Sequence, residues 1–176
     1  MRTNIVSLVV VSLAAAGTVL SEPIRTPYRP AVDRAVSSWL DRSLPGLVKS
    51  YKHLHAHPEL SLEEQRTAAL LADGLASSGY VVTTGVGGTG VVGVLRNGEG
   101  PTLLIRGDMD ALPIVEETGL DYASKVTVVR EDGSTVGVMH ACGHDVHTIV
   151  LSGTARLLAE MRDRWRGTVV VIGQPA

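Results

Sequence analysis

Short runs of β-branched and aliphatic residues, set between segments of helical periodicity, constrain this chain more than any other feature. Tyr80 to Thr84, Val91 to Arg96, Thr102 to Arg106 and Thr168 to Ile172 are brief and rich in Val, Leu, Ile and Thr, and they read as strands. Gly- and Asn-containing turns separate the first three. Ala31 to Arg42 reads as a helix. After the interruption at Ser43-Leu44-Pro45, a second helix carries Leu47, Val48, Tyr51 and Leu54 and ends near His57-Pro58. Ser61-Leu62-Glu63-Glu64 has the pattern of a capping box and opens a helix to about Ser78, closed by Gly79. Val146, Val150, Leu151, Thr154, Leu157, Leu158 and Met161 mark a further helix that runs to about Arg164. Val126 to Arg130 and Thr135 to Val138 flank Glu131-Asp132-Gly133-Ser134 as a hairpin. Helices that alternate with short apolar strands define an α/β fold. The 176 residues suffice for one core. With 3% aromatic residues and no Phe, that core must be built from Val, Leu, Ile and Ala.

The amino terminus is a separate unit. Arg2 precedes an apolar run from Ile5 to Leu20, and Ser21-Glu22-Pro23 follows. A positive start, an apolar middle and small residues before a polar exit describe a secretory signal peptide over residues 1–21. A membrane anchor is the alternative, but the run is shorter than a span of about 20 residues. Residues 22–30 contain Pro23, Pro27 and Pro30 and form an extended leader. The mature chain, residues 22–176, is thus expected to be exported, with no stable membrane association after cleavage, and residues 31–176 to form its folded domain. The net charge is −2 with acids and bases mixed, which favours neither nucleic acid nor an anionic membrane as partner. A single cysteine excludes an intrachain disulfide.

Candidate chemistry concentrates in two stretches. Met139 to His147 holds His140, Cys142, His144, Asp145 and His147, side chains that bind borderline divalent metals. Cys142 and His144 are two apart with Gly143 between them, so both can reach one ion, with the cysteine as thiolate. Asp145 can orient a ligating imidazole from behind, and His147 lies in line with Val150 and Leu151, which gives it a packed or supporting place. Arg106-Gly107-Asp108-Met109-Asp110 brings two carboxylates to the end of an apolar strand, where α/β sheets bind ligands. Asp108 and Asp110 share one face of an extended chain; a turn with a capping Asp is the plain alternative. A Cys–His nucleophile centred on Cys142 is also open, although the paired acids suit a metal better. Gly85, Gly87 and Gly90 match a dinucleotide-binding pattern, but the strand-like Val91 to Leu95 follows where a helix is required, so they read as a hairpin. His53, His55 and His57 alternate near a helix end and are expected to point in different directions, with His57-Pro58-Glu59-Leu60 as a helix stop and corner.

Taken together, His55-Ala56-His57-Pro58-Glu59-Leu60-Ser61, Gly107-Asp108-Met109-Asp110-Ala111-Leu112-Pro113 and Met139-His140-Ala141-Cys142-Gly143-His144-Asp145 resemble the co-catalytic metallopeptidase family M20. The closest branch is that of aminoacylases, hippurate hydrolases and indole-acetyl-amino-acid hydrolases. The resemblance implies a zinc-peptidase-like, three-layer α/β domain with a central, mostly parallel sheet between helices. It implies two divalent ions, zinc or manganese, and hydrolysis of the amide bond of an N-acyl amino acid. Aminopeptidase or carboxypeptidase activity on a short peptide is the alternative within the family, and a non-catalytic metal-binding or interaction protein the alternative outside it. By position, Cys142 and His144 match metal ligands and Asp110 the acid that supports the catalytic machinery. Asp108 stands where other branches carry a ligating His, and His140, Asp145 and His147 take supporting roles. In relatives, two glutamates follow Gln-Pro-Ala, one the general base and one a ligand. The later His ligands and a lid domain, through which a homodimer can form, also lie beyond Ala176. The 176-residue chain is therefore expected to be an N-terminal part that binds metal weakly and does not hydrolyse amides by itself.

Overall fold

The computed structural model describes residues 30–175. The expected signal peptide and leader lie outside these residues, except for Pro30, which opens the first helix. Three helices, α1 (Pro30–Ala56), α2 (Gln65–Ser77) and α3 (His144–Glu160), accompany β1 (Val81–Val86), β2 (Gly90–Asn97), β3 (Thr102–Asp108), β4 (Thr127–Val129), β5 (Thr135–Gly137) and β6 (Gly167–Gln174). A 3-10 turn over Arg162–Arg164 ends the α3 region. No helix among the described residues is long and apolar enough to cross a membrane.

The main sheet has the order β1-β2-β6-β3. Its pairing is mixed. β3 runs parallel to β6, while β1-β2 and β2-β6 are antiparallel. The α/β class is as expected; the mostly parallel sheet is represented by one parallel pair beside two antiparallel ones. The turn at Val86–Gly90 is a hairpin, so β2 must return against β1, and a strand follows Gly90 where dinucleotide binding requires a helix. Only the β3-α3-β6 connection has the helical crossover that a parallel pair needs.

One face of the sheet carries the core. A Cβ on Gly93 or Gly173 would meet Leu75 or Leu71 of α2, and Leu151 of α3 packs near Gly107. Val91, Leu95, Val169 and Val171 share that face and are buried with Leu71, Leu75, Tyr80, Met109, Leu151 and Ala155. These are the aliphatic residues that the composition demands. The opposite face includes Val81 and Leu104, which are 75% and 56% exposed, so the described helices cover the sheet from one side. A second helical layer is not among the described residues.

Two local expectations change. Pro45 does not divide α1, which is one helix of 27 residues. Proline there costs the bond to the Asp41 carbonyl, but Asp41 and Pro45 face solvent, where water can replace it. On the other side Leu47 meets Gly153 of α3, and the Trp39 Nε1–H donates to Glu160 Oε2 at 2.9 Å, so packing holds both halves on one axis. The second change concerns α2. It begins at Gln65, because Leu62 adopts φ 66 and the chain turns there. Ser61 does not cap it. Buried Glu59 accepts from the Arg66 and Thr67 backbone N–H groups at 3.0 and 2.8 Å, and from Arg66 Nε and Thr67 Oγ1. Glu64 accepts from the Leu62 N–H and from the Thr89 hydroxyl.

Candidate metal centre

Backbone hydrogen bonds stitch the three motifs together. The Ala111 N–H donates to the Glu59 carbonyl at 2.8 Å, and Leu112 and Met139 exchange bonds at 2.9 and 3.0 Å. The segment after β3 is thereby held between the chain that follows α1 and the chain that precedes α3. Met109 anchors it: its side chain is 0% exposed, and its N–H donates to the Gln174 carbonyl. Burying the residue between Asp108 and Asp110 turns both carboxylates away from Met109 at the carboxyl end of β3, Asp108 partly exposed and Asp110 buried.

α3 arrives over the same strand end. Gly107 permits this, because a Cβ there would lie 3.3 Å from the His147 carbonyl oxygen and 3.4 Å from Leu151. Before α3 the chain turns at Gly143, which has φ 76, a left-handed conformation that suits glycine. The turn brings His144 between the two acids. His144 Nδ1 lies 2.8 Å from Asp110 Oδ1 and 3.0 Å from the Asp110 carbonyl. Both groups accept, so Nδ1 carries the proton and Nε2 offers its lone pair. The Ser61 hydroxyl donates to the other Asp110 oxygen at 3.1 Å and fixes the carboxylate. Nε2 lies 4.0 Å from Asp108 Oδ2, and His147 Nδ1 lies 3.9 Å from the same oxygen. The two rings stack at 5.2 Å. Arg106 holds the other Asp108 oxygen at 2.5 Å.

One oxygen and two imidazole nitrogens, from Asp108, His144 and His147, lie within 4.8 Å of one another. Two ligands on a tetrahedral ion at about 2.1 Å would sit roughly 3.4 Å apart, so a small inward movement would close the set. Mixed imidazole and carboxylate donors suit zinc and manganese. The residues present therefore fit a divalent ion.

His147 is exposed, faces Asp108, and lines one cleft with Val150 and Leu151. Cys142 is exposed and is not part of the three-residue cluster. The left-handed turn at Gly143 lies between Cys142 and His144. Asp145 does not orient His144; Asp110 does. The Asp145 carboxylate is buried and lies 2.7 Å from His55 Nδ1. His140 is buried, and neither ring nitrogen has a partner among the described residues. Burial pushes its imidazole below the usual pKa. The His53 and His57 rings lie 4.5 Å apart, tilted by 34°, because four-residue spacing returns to the same helix face. His55 points the opposite way, into the core beside Glu116. Its position on the stripe of Leu47, Tyr51 and Leu54 is the signal that sequence reading passed over.

Comparison with known proteins places this arrangement. The model of Peptidase family M20/M25/M40 matches residues 104–176, which contain Asp108, Asp110 and the whole His140–His147 cluster. The chain belongs to this M20 family. It is 50% identical over 135 residues to a Synechocystis sp. protein named "probable hydrolase", spanning 76% of this chain and 32% of that protein. It is 43% identical to an N-acyl-L-amino acid amidohydrolase of Geobacillus stearothermophilus, covering 71% of this chain and 32% of the relative. Its fold matches the solved structure of a Bacillus subtilis dinuclear metal binding peptidase from the M20 family, with TM-score 0.65 and 39% identity over 80% of this chain and 36% of that one. The chain thus spans about a third of the length of these M20 relatives.

Proposed function

We propose that this chain is the metal-binding, N-terminal part of an exported M20 amidohydrolase that cleaves the amide bond of N-acyl amino acids. The observation that carries the reading is the pair of carboxylates around one imidazole. Asp110 holds the Nδ1–H of His144 at 2.8 Å, and Nε2 is turned toward Asp108 and His147. A carboxylate behind a histidine fixes its tautomer and raises its basicity as a ligand. His144, Asp108 and His147 would hold an ion, and Cys142, two residues before His144 and exposed, is a further candidate ligand. A bound divalent ion would polarise the amide carbonyl and lower the pKa of water. The family resemblance supports two ions and an N-acyl substrate, and the amino-terminal apolar run supports export.

The test uses the whole protein that contains this chain, loaded with zinc or manganese. It is expected to release free amino acid from N-acetyl amino acids, and His144→Ala is expected to remove at least about 100-fold of kcat/KM. Unchanged turnover in His144→Ala, or turnover of dipeptides alone, would overturn the reading. Fractionation of cells expressing the protein with and without residues 1–21 tests export.

A further inference from the structure

We propose that His55 is a positioning residue: as an imidazolium gripped by Asp145 and Glu116, it ties the loop after β3 to the first turn of α3 and so aims His144. The consequence for metal binding rests on the reading above; the geometry of the clamp does not.

His55 Nδ1 lies 2.7 Å from Asp145 Oδ2, and Nε2 lies 2.9 Å from Glu116 Oε1. All three side chains are nearly out of reach of water, at 7% exposure for His55, 2% for Asp145 and 0% for Glu116. A neutral imidazole has one N–H and one lone pair. In this site the lone pair would face a carboxylate oxygen at under 3 Å, a repulsive contact in a medium of low dielectric. With both nitrogens protonated, each carboxylate gains a charge-assisted bond. The carboxylates are also held from their other sides. Glu116 accepts from the Thr118 hydroxyl and the Ser124 N–H, and Asp145 accepts from the Val146 N–H. With those donors in place, the bonds to the ring are completed by hydrogens carried on the imidazole.

The surroundings agree. Burial by itself lowers the pKa of His55, but the hydrogen bonds to Asp145 and Glu116 outweigh it and raise the imidazole above its usual value. Glu116 is lowered, with its bonds to Thr118, His55 and Ser124 overcoming burial. Tyr51 of α1 and Tyr122 of the loop pack on the ring at 5.6 and 5.3 Å, and buried His140 completes the set of titratable groups around it. Tyr51 is pushed up to about 12, by burial first and the Asp145 charge second.

The route to the site is one peptide long. Asp145 follows His144, and its second oxygen caps the Val146 N–H inside the first turn of α3. With Asp145 drawn toward His55, the neighbouring His144 projects the other way, toward Asp110 and Asp108. Two histidine–carboxylate pairs stand back to back, one buried and one facing the ion site.

Histidine-selective 15N NMR of the whole protein that contains this chain tests this directly. At pH 7 the two His55 nitrogens should both show imidazolium shifts, and His144 should be the Nδ1–H tautomer. In His55→Gln, with a native far-UV spectrum, His144 should lose that single tautomer. Cobalt(II) affinity should fall about tenfold in His55→Gln and in Asp145→Asn, and no further in the double variant, because both act through one bond. A neutral His55 at pH 7 in the unaltered chain overturns the proposal whether or not any variant folds. So does a folded His55→Gln that keeps the His144 tautomer. If the whole protein that contains this chain binds no cobalt(II), the metal reading fails, and the two NMR results still decide the clamp.

Discussion

Removing the Glu59 carboxylate should weaken α2 more than removing the Ser61 hydroxyl. Glu59 is 8% exposed and accepts four hydrogen bonds from Arg66 and Thr67. In Glu59→Ala the two backbone N–H groups lose their cap, which costs about 1 kcal/mol and up to roughly 2. The Thr67 hydroxyl is then a buried, unpaired polar group, worth about 1–3 kcal/mol more. The Arg66 side chain is mostly exposed, so its ion pair adds less than about 1 kcal/mol. Together these give a loss of about 3 kcal/mol, a large share of a typical stability of about 5–15 kcal/mol. Urea unfolding of the 176-residue chain, followed by far-UV circular dichroism at pH 7, should show the midpoint falling without a change in slope. Glu59→Gln should fall between the two, since its amide nitrogen must face donors. The pKa of Glu59 is lowered because its four bonds outweigh burial, so its contribution is present above about pH 4.5 and fades as pH drops through the folded value. The difference between Glu59→Ala and the unaltered chain should shrink in acid. Ser61→Ala loses only a bond to Asp110 and should cost less than about 1.5 kcal/mol. The reasoning fails if Ser61→Ala proves the more damaging substitution, or if Glu59→Ala costs under about 1 kcal/mol.

Three further outcomes are expected. The clamp at His55 should give a bell-shaped dependence of stability on pH: the Glu116 contribution is present above its ordinary 4.5 and lost as pH falls through its lowered folded value, while the His55 contribution is complete below 6.5 and lost as pH climbs through its raised one. The stability difference between the unaltered chain and Glu116→Gln, measured by urea titration from pH 3 to 9, should therefore peak between those limits; a difference that grows into alkali contradicts it. Gly173→Ala would place a Cβ 2.4 Å from Leu71 and 2.8 Å from the Met109 sulfur, and the overpacking should cost about 1–3 kcal/mol by thermal melting. Met109→Ala should lose about 2–5 kcal/mol through its cavity. It should also weaken cobalt(II) binding in isothermal titration, because the anchor that aims Asp108 and Asp110 is gone; unaltered binding would show that the backbone alone holds them.

Much of the site was legible because its residues are close in the chain. The strand before Asp108, the turn at Gly143 and the helix after it are local features, written in β-branched runs, a glycine and an apolar stripe. The partners of those residues were not legible. Asp110 and Asp145 look alike beside His144, and adjacency favoured Asp145 as its support. The fold decides otherwise by burying Met109, which turns Asp110 to the imidazole, and by drawing Asp145 to a histidine 90 residues away. Likewise Ser61 has the local pattern of a cap, yet Glu59 performs the task from beyond the turn that Leu62 makes.

Periodicity and short-range chemistry were enough to establish an α/β chain with an aliphatic core and metal-type side chains at a strand end. They could not establish which proton sits on which nitrogen, or that Pro45 would be carried inside one continuous helix. Those outcomes depend on contacts between distant segments, where burial removes water and leaves each polar group with only the partners that packing supplies. The two acids around His144 and the two around His55 are products of that closure.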